Sequence, residues 1–76
     1  MDIKDFIVDF ADQFDETELS EFKPDTKYRE FDEWTSLTAL AILSMIKKKY
    51  GVNLTASEVK DYDTVESLYN LIVSKQ

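Results

Sequence analysis

Apolar residues recur at helical spacing at the start of the chain. Counted from the third residue, they occupy positions i, i+3, i+4, i+7, i+8 and i+11, and they are Ile3, Phe6, Ile7, Phe10, Ala11 and Phe14. This period places them on one face of an amphipathic helix, with acidic residues elsewhere on its surface. Asp2 stands just before the first of them and suits an N-cap. The pattern predicts a helix from Ile3 through Phe14.

Residues 15–35 show no sustained period and contain Pro24, the only proline. They predict a loop of a length that is usually either functional or disordered. The loop holds too many large apolar residues for a disordered linker, namely Leu19, Phe22, Tyr28, Phe31 and Trp34. We therefore expect it to pack over the core and to contain one short turn of helix.

Helical periodicity returns between Ser36 and Tyr50. One stripe comprises Leu37, Leu40, Ala41 and Ser44, and the apolar surface is widened by Ile42, Leu43, Met45 and Ile46. A helix that is apolar on nearly all sides is expected to be central and contacted from several directions. Three lysines in its last turn complement the carbonyl end of the helix dipole. Gly51 follows them and is expected to end the helix in the left-handed conformation.

Two more helix starts follow. Thr55 and Glu58 have the spacing of a capping box, which predicts a short helix over Ala56 to Asp61. A similar start at Thr64 precedes a last helix whose predicted buried side comprises Val65, Leu68, Tyr69, Leu71 and Ile72. The fold class predicted is all-α, a small four-helix bundle in one domain over residues 1–76. It has a long loop after the first helix and a short third helix.

Composition excludes several classes of function. Because the chain has no cysteine and no histidine, it lacks thiolate chemistry, the usual general base and the commonest metal ligand, and we predict that it is not an enzyme. Acids at Asp9, Asp12, Asp15 and Glu16 lack the glycine of a calcium-binding loop, so no metal site is predicted. With no signal peptide and no long apolar run, a cytoplasmic protein without membrane insertion is expected.

The net charge is −7 and is unevenly distributed along the chain. Residues 1–35 hold twelve acids and four bases, which gives −8, whereas residues 36–76 hold four acids and five bases, which gives +1. A field of this sign repels nucleic acid and favours basic protein partners. The same acids also serve an ordinary purpose, which is to keep a small protein in solution.

The stretch DEWTSLTAL, residues 32–40, places Ser36 at the start of the central helix. Together with the aromatic-rich loop, KKYGVNLTASEV at 48–59 and DYDTVESLYNLI at 61–72, it resembles the acyl carrier proteins over essentially the whole chain. The resemblance implies that Ser36 is the attachment site of 4′-phosphopantetheine, donated by coenzyme A. A phosphopantetheinyl transferase that uses Mg²⁺ performs the transfer, and acyl-loading and processing enzymes are the further partners. The carrier itself, expected to be a monomer, holds an acyl thioester in fatty-acid-like or specialised biosynthesis.

Two interpretations of Ser36 follow from the residues alone. A serine at a helix start lies near free backbone N–H groups and the positive end of the dipole, which suits an attached phosphodiester. A hydroxyl residue there, either Ser36 or Thr35, is also commonly only an N-cap. Trp34 likewise either packs the loop on the core or flanks the arm and contacts a partner.

The sequence departs from the family pattern at two places. The signature Asp-Ser-Leu stands here as Thr35-Ser36-Leu37, so an acid that helps the transferase recognise its carrier is missing. Asp32 and Glu33 lie nearby and are candidates to replace its charge. The family's central helix is usually acidic, whereas residues 38–49 contain no acid. We therefore expect a dedicated set of partners.

The resemblance also implies a cargo pocket inside the bundle. Its candidate lining residues are Leu40, Leu43, Ile46, Leu54, Val59, Tyr62 and Leu68, although in sequence they do not differ from ordinary core residues. The alternative function is a protein-interaction module with the same bundle and no cofactor, in which Thr35 marks the loss of modification.

Overall fold

The computed structural model describes residues 2–76, which form four α-helices. These are α1 (Ile3–Ala11), α2 (Ser36–Tyr50), α3 (Ala56–Asp61) and α4 (Val65–Lys75). Two short 3-10 helices, Leu19–Glu21 and Tyr28–Glu30, lie in the long segment between α1 and α2. Across residues 2–76 there is no strand, only an isolated antiparallel bridge between Lys27 and Thr64. The predicted small all-α bundle is confirmed.

The helix ends follow local chemistry where the sequence indicates it. The Asp2 carboxylate accepts a hydrogen bond from the backbone N–H of Lys4, and the Thr55 and Glu58 side chains form the expected capping box at α3. Gly51 ends α2 with φ of +68°, where a residue without a Cβ is favoured. These predictions are confirmed because each depends only on residues within one turn.

α1 is shorter than predicted. It ends at Ala11, and the N–H groups of Gln13 and Phe14 bond the carbonyls three residues earlier, which tightens the chain into a turn. The prediction that the helix continues through Phe14 is therefore wrong. Phe14 is nevertheless buried, because the turn directs its ring onto Phe22 in the loop, with ring centroids 4.9 Å apart.

The core lies between α1, α2 and α4 and beneath the loop. Its fully enclosed members come from all of these segments, and they are Phe6, Phe10, Tyr28, Ile42, Ile46, Val59, Val65, Leu68 and Ile72. α1 packs against α4 and α2, and α2 packs against α3. No helix within the described part of the chain combines the length and apolarity needed to cross a lipid bilayer.

The long loop packs on this core, as predicted. Phe22 and Tyr28 are buried, and Phe31 and Trp34 pack against the core, but Leu19 is half exposed, contrary to the prediction. The loop contains two helical turns where one was predicted. Its backbone also completes α4, because the carbonyls of residues 24 and 26 accept the N–H groups of residues 66 and 65 at that helix start. These N–H groups have no partner within their own helix.

The C-terminal end of α2 is tied to α1 by a polar cluster. Lys49 Nζ and the Tyr50 hydroxyl donate to the two carboxylate oxygens of Asp9, at 2.8 and 2.6 Å. The hydrogen bond from Lys49, followed by that from Tyr50, holds the pKa of Asp9 below its usual value. Of the three lysines that end α2, Lys49 is thus already engaged.

α2 is contacted by both α1 and α3, as predicted, but it is not covered all round. Its buried residues are Ile42, Met45 and Ile46, whereas Leu37 and Leu40 are 78% and 61% exposed. The physical reason is that α1 and α3 flank the buried side of α2, near Met45 and Leu43 respectively, and leave the sector with Leu37 and Leu40 uncovered. α2 therefore lies at the edge of the bundle, and its opposite side faces solvent.

Candidate functional site

The start of α2 separates the roles of Thr35 and Ser36. Thr35 has extended backbone geometry, and its side-chain oxygen accepts the N–H of Thr38 at 3.3 Å, so Thr35 is the N-cap. Ser36 is the first helical residue and is exposed. Its hydroxyl makes no hydrogen bond to any residue among 2–76. The N-cap interpretation thus applies to Thr35, and the Ser36 hydroxyl is available to a reagent from solution.

Glu33 connects the segment that precedes Ser36 to residues 15–17. Its carboxylate accepts the backbone N–H groups of Asp15 and Glu16, each at 2.9 Å, and both the N–H and the hydroxyl of Thr17. The Thr38 hydroxyl in turn donates to the Glu33 carbonyl at 2.7 Å. Glu33 therefore joins the end of the turn after α1 to the residues that precede Ser36.

These contacts stabilise the ionised form of the Glu33 carboxyl group. The hydrogen bond from the Thr17 hydroxyl, followed by the backbone N–H groups, holds the pKa of Glu33 below its usual value. A depressed folded-state pKa means that the stabilisation is present above the unfolded pKa and is lost as the pH falls through the folded one. Asp32, the other acid proposed to replace the missing aspartate, is exposed.

We expect Glu33→Gln to loosen residues 15–17 without unfolding the bundle. The amide keeps one acceptor oxygen but turns an NH₂ group toward N–H donors, so at least one of the four hydrogen bonds is lost, namely that from the Asp15 N–H if the amide oxygen takes the place of Oε1. Amide hydrogen exchange at residues 15–17 should accelerate on the order of tenfold. Two-dimensional NMR at neutral pH measures this directly.

The matched control is Asp32→Asn, which removes the same charge from the adjacent, exposed residue. Exchange at residues 15–17 should be unchanged in this variant. Equal acceleration in both variants would show that net charge controls the loop, and the hydrogen bonds of Glu33 would not be the cause.

An open cavity of about 540 Å³ lies beside Ser36, between α2 and α3. It is lined by Trp34, Thr35, Ser36, Ala39, Leu40, Leu43, Ala56, Val59 and Lys60. Most of these side chains are apolar, and Lys60 contributes the single charge. The start of α2 thus combines an exposed hydroxyl with a mostly apolar recess.

The seven candidate cargo residues fall into three groups. Leu40, Leu43 and Val59 line the cavity, whereas Ile46 and Leu68 are enclosed in the core. Leu54 and Tyr62 are partly buried, pack against the core, and are not part of the lining. Sequence reasoning missed Ala39, Ala56 and Lys60. Ala56 and Lys60 share a face of α3 with Val59, because residues at i, i+3 and i+4 lie on one side of a helix. Their position beside Val59 could therefore have been predicted from the sequence.

Trp34 packs the loop on the core, which is one of the two roles considered from the sequence, and contact with the arm or a partner stays a prediction. Its ring contacts Tyr28 edge-to-face, with centroids 5.0 Å apart, and stacks on Phe14 at 6.3 Å. It also lines the cavity beside Ser36. Trp34 therefore connects the aromatic core to the candidate site, whereas Leu37 is exposed and lies outside the cavity lining.

Comparison with known proteins identifies the class of this chain. Residues 5–72 match the model of the family described as the phosphopantetheine attachment site, so the chain belongs to that family. No curated protein matches it. Domains of this class are typically non-catalytic carriers that interact with phosphopantetheinyl transferases and biosynthetic enzymes. The cofactor is therefore covalently attached 4′-phosphopantetheine.

The residues at the start of α2 fit this group. An attached phosphodiester requires a hydroxyl that reaches solvent, which Ser36 offers, and free N–H groups nearby, which the first turn of a helix provides. The adjoining cavity has room for part of an attached chain and presents apolar side chains to it.

Proposed function

We propose that this chain is a discrete acyl carrier modified on Ser36, working as one domain over residues 1–76. The observation that carries the proposal lies at the start of α2, where Thr35 caps the helix and leaves the Ser36 hydroxyl free. Fatty-acid-like or specialised biosynthesis is the process proposed. A cytoplasmic location and a monomeric state belong to the same proposal.

In this proposal the Ser36 Oγ is the nucleophile that a transferase directs at the pantetheine-side phosphorus of the coenzyme A pyrophosphate. The new Oγ–P bond replaces the P–O bond of the pyrophosphate, and adenosine 3′,5′-bisphosphate leaves. The hydroxyl proton passes to a base on the transferase, since this chain offers no histidine. The N–H groups and dipole of α2 would then stabilise the negative charge on the non-bridging oxygens of the phosphodiester attached at Oγ. When bound, the group supplies a terminal thiol that holds acyl cargo as a thioester.

The cavity between α2 and α3 would shelter apolar cargo from water. Leu40, Leu43 and Val59 supply the apolar contact, and Trp34 closes the side nearest Ser36. Burying apolar surface stabilises by about 25 cal/mol per Å², so even a short acyl chain gains from partial burial. The enclosed core residues Ile46 and Leu68 would contribute only if the helices separated.

Intact-mass spectrometry after incubation with coenzyme A, Mg²⁺ and a broad-specificity phosphopantetheinyl transferase tests the proposal. The wild-type chain should gain one phosphopantetheine group, and Ser36→Ala should gain none. Ser57→Ala is the matched control, because Ser57 is an exposed serine in the first turn of α3 and lies outside the cavity lining. It should be modified like the wild type.

The variant Thr35→Asp distinguishes a carrier that the transferase recognises slowly from a chain that is no longer modified at all. Aspartate also caps helices, so this variant keeps the helix start and restores the acid that is missing. Faster modification than in the wild type is expected. If neither chain gained mass while both remained folded, the carrier proposal would fail, and the interaction module without cofactor would take its place.

A further inference from the structure

The outer side of α2 carries an exposed stripe along its full length. It comprises Leu37, Leu40, Ser44, Lys47 and Lys48, all of which are exposed, and is called the α2 outer face below. At 100° per residue these positions span a sector of about 100°, roughly opposite the buried residues Ile42, Met45 and Ile46. The side chains therefore form one continuous surface about 16 Å long.

This surface has two chemically distinct ends. The end beside Ser36 presents two large leucines to solvent, at 78% and 61% exposure. The far end presents Lys47 and Lys48, neither of which has an ion pair to a residue among 2–76, whereas Lys49 is bonded to Asp9. No acid lies between residues 34 and 57 to offset them. The lysines are free to pair with charges on another molecule.

We propose that the α2 outer face docks protein partners that present an apolar socket flanked by acidic side chains. The leucines enter the socket, which places the partner next to Ser36, and the lysines pair with acids roughly 10 Å further along the helix axis. The inference rests on the proposed function in one respect, namely that a partner must reach Ser36.

The net charge of −7 does not oppose this arrangement at contact distance. The Debye length at physiological ionic strength is about 8 Å. The electrostatic interaction across an interface therefore depends mainly on the charges within that distance, and the net charge of the whole chain matters less. The excess acid lies in residues 1–35, and residues 36–76 carry +1. Basic partners would meet that acidic first segment, whereas a partner that approaches along α2 meets lysines.

NMR titration of the ¹⁵N-labelled, unmodified chain with two synthetic peptides tests the inference. Both are 18-residue amphipathic helices with leucines on one face, and their flanks carry glutamates in one peptide and lysines in the other. The glutamate peptide should shift amide signals of the α2 outer face and bind about tenfold more tightly at low salt. Added salt should reduce this difference.

Charge reversal by K47E/K48E should invert the preference between the peptides, and L37S/L40S should weaken binding of both. K23E/K27E, which reverses two exposed lysines of the loop, is the matched control and should behave like the wild type. Circular dichroism confirms that each variant is folded before titration.

Several results would overturn the proposal. The first is that amide signals of the α2 outer face do not shift at millimolar glutamate peptide. The second is that the lysine peptide binds this face as tightly as the glutamate peptide or more tightly. The third is that only signals of α1 shift. Vesicles of anionic lipid that shift the same signals when the peptide does not would assign the surface to membranes. Because the chain is unmodified, failure of Ser36 to accept the cofactor would leave this test unaffected.

Discussion

Phe10→Ala should lower the free energy of unfolding by about 3–5 kcal/mol, the usual loss for a buried phenylalanine. Phe10 is fully buried in α1 and contacts four other aromatic rings, with centroid distances of 5.2 to 5.9 Å to Phe6, Phe14, Phe22 and Tyr28. A chain of 76 residues is typically stable by about 4–11 kcal/mol. The substitution therefore removes a large part of the free energy of unfolding of the whole chain.

Urea denaturation followed by circular dichroism measures this loss. Val8→Ala is the control, because Val8 lies on the same helix and is 45% exposed, and it should change stability by less than about 0.5 kcal/mol. Phe10→Leu keeps part of the volume and should be destabilised less, so a measurement remains if Phe10→Ala does not fold. A loss below about 1 kcal/mol in Phe10→Ala would contradict the packing described.

Tyr28→Phe should lower the free energy of unfolding by about 1–3 kcal/mol without creating a cavity. The buried Tyr28 hydroxyl lies in hydrogen-bond contact with the carbonyl oxygens of Val59, at 2.8 Å, and of Tyr62. The last carbonyls of a helix lack partners within it, so Tyr28 satisfies the end of α3 from the loop. Phenylalanine leaves these carbonyls without that donor.

The same hydroxyl makes stability depend on alkaline pH. Burial raises the pKa of Tyr28 to about 12 from 10.0. Above pH 10 the unfolded chain therefore loses this proton while the folded chain retains it, and stability falls as the pH rises toward 12. Because Tyr50 also has a raised pKa, from burial and its bond to Asp9, the informative quantity is the difference between wild type and Tyr28→Phe.

Urea denaturation at pH 8, 10 and 11 provides that difference. Tyr28→Phe should be less stable than wild type at pH 8, and the gap should narrow as the pH rises, since phenylalanine has no proton to lose. A gap that stays constant across this range would show that the Tyr28 hydroxyl titrates alike in the folded and unfolded chains.

The four helices could be predicted from the sequence because the signals that start and end them are local. A cap at Asp2, a capping box at Thr55 and a glycine at position 51 act through backbone groups within one turn, so adjacent residues suffice to predict them. The helical spacing of the apolar residues likewise identified which of them share a helix face. The class of protein could be inferred because several short stretches, around Ser36 and in the two segments that follow α2, resemble the family in the same order.

Which helix faces are covered, and which distant groups meet, depends on residues far apart in the chain and is therefore visible in the folded structure alone. The helical spacing placed Leu37, Leu40 and Ser44 on one stripe of α2, but α1 and α3 pack against the rest of the helix and leave that stripe exposed. Glu33 bonds residues sixteen to eighteen positions earlier, and such a partner has no local signal. The early end of α1 was missed because Phe14 is buried from a turn as well as it would be from a helix.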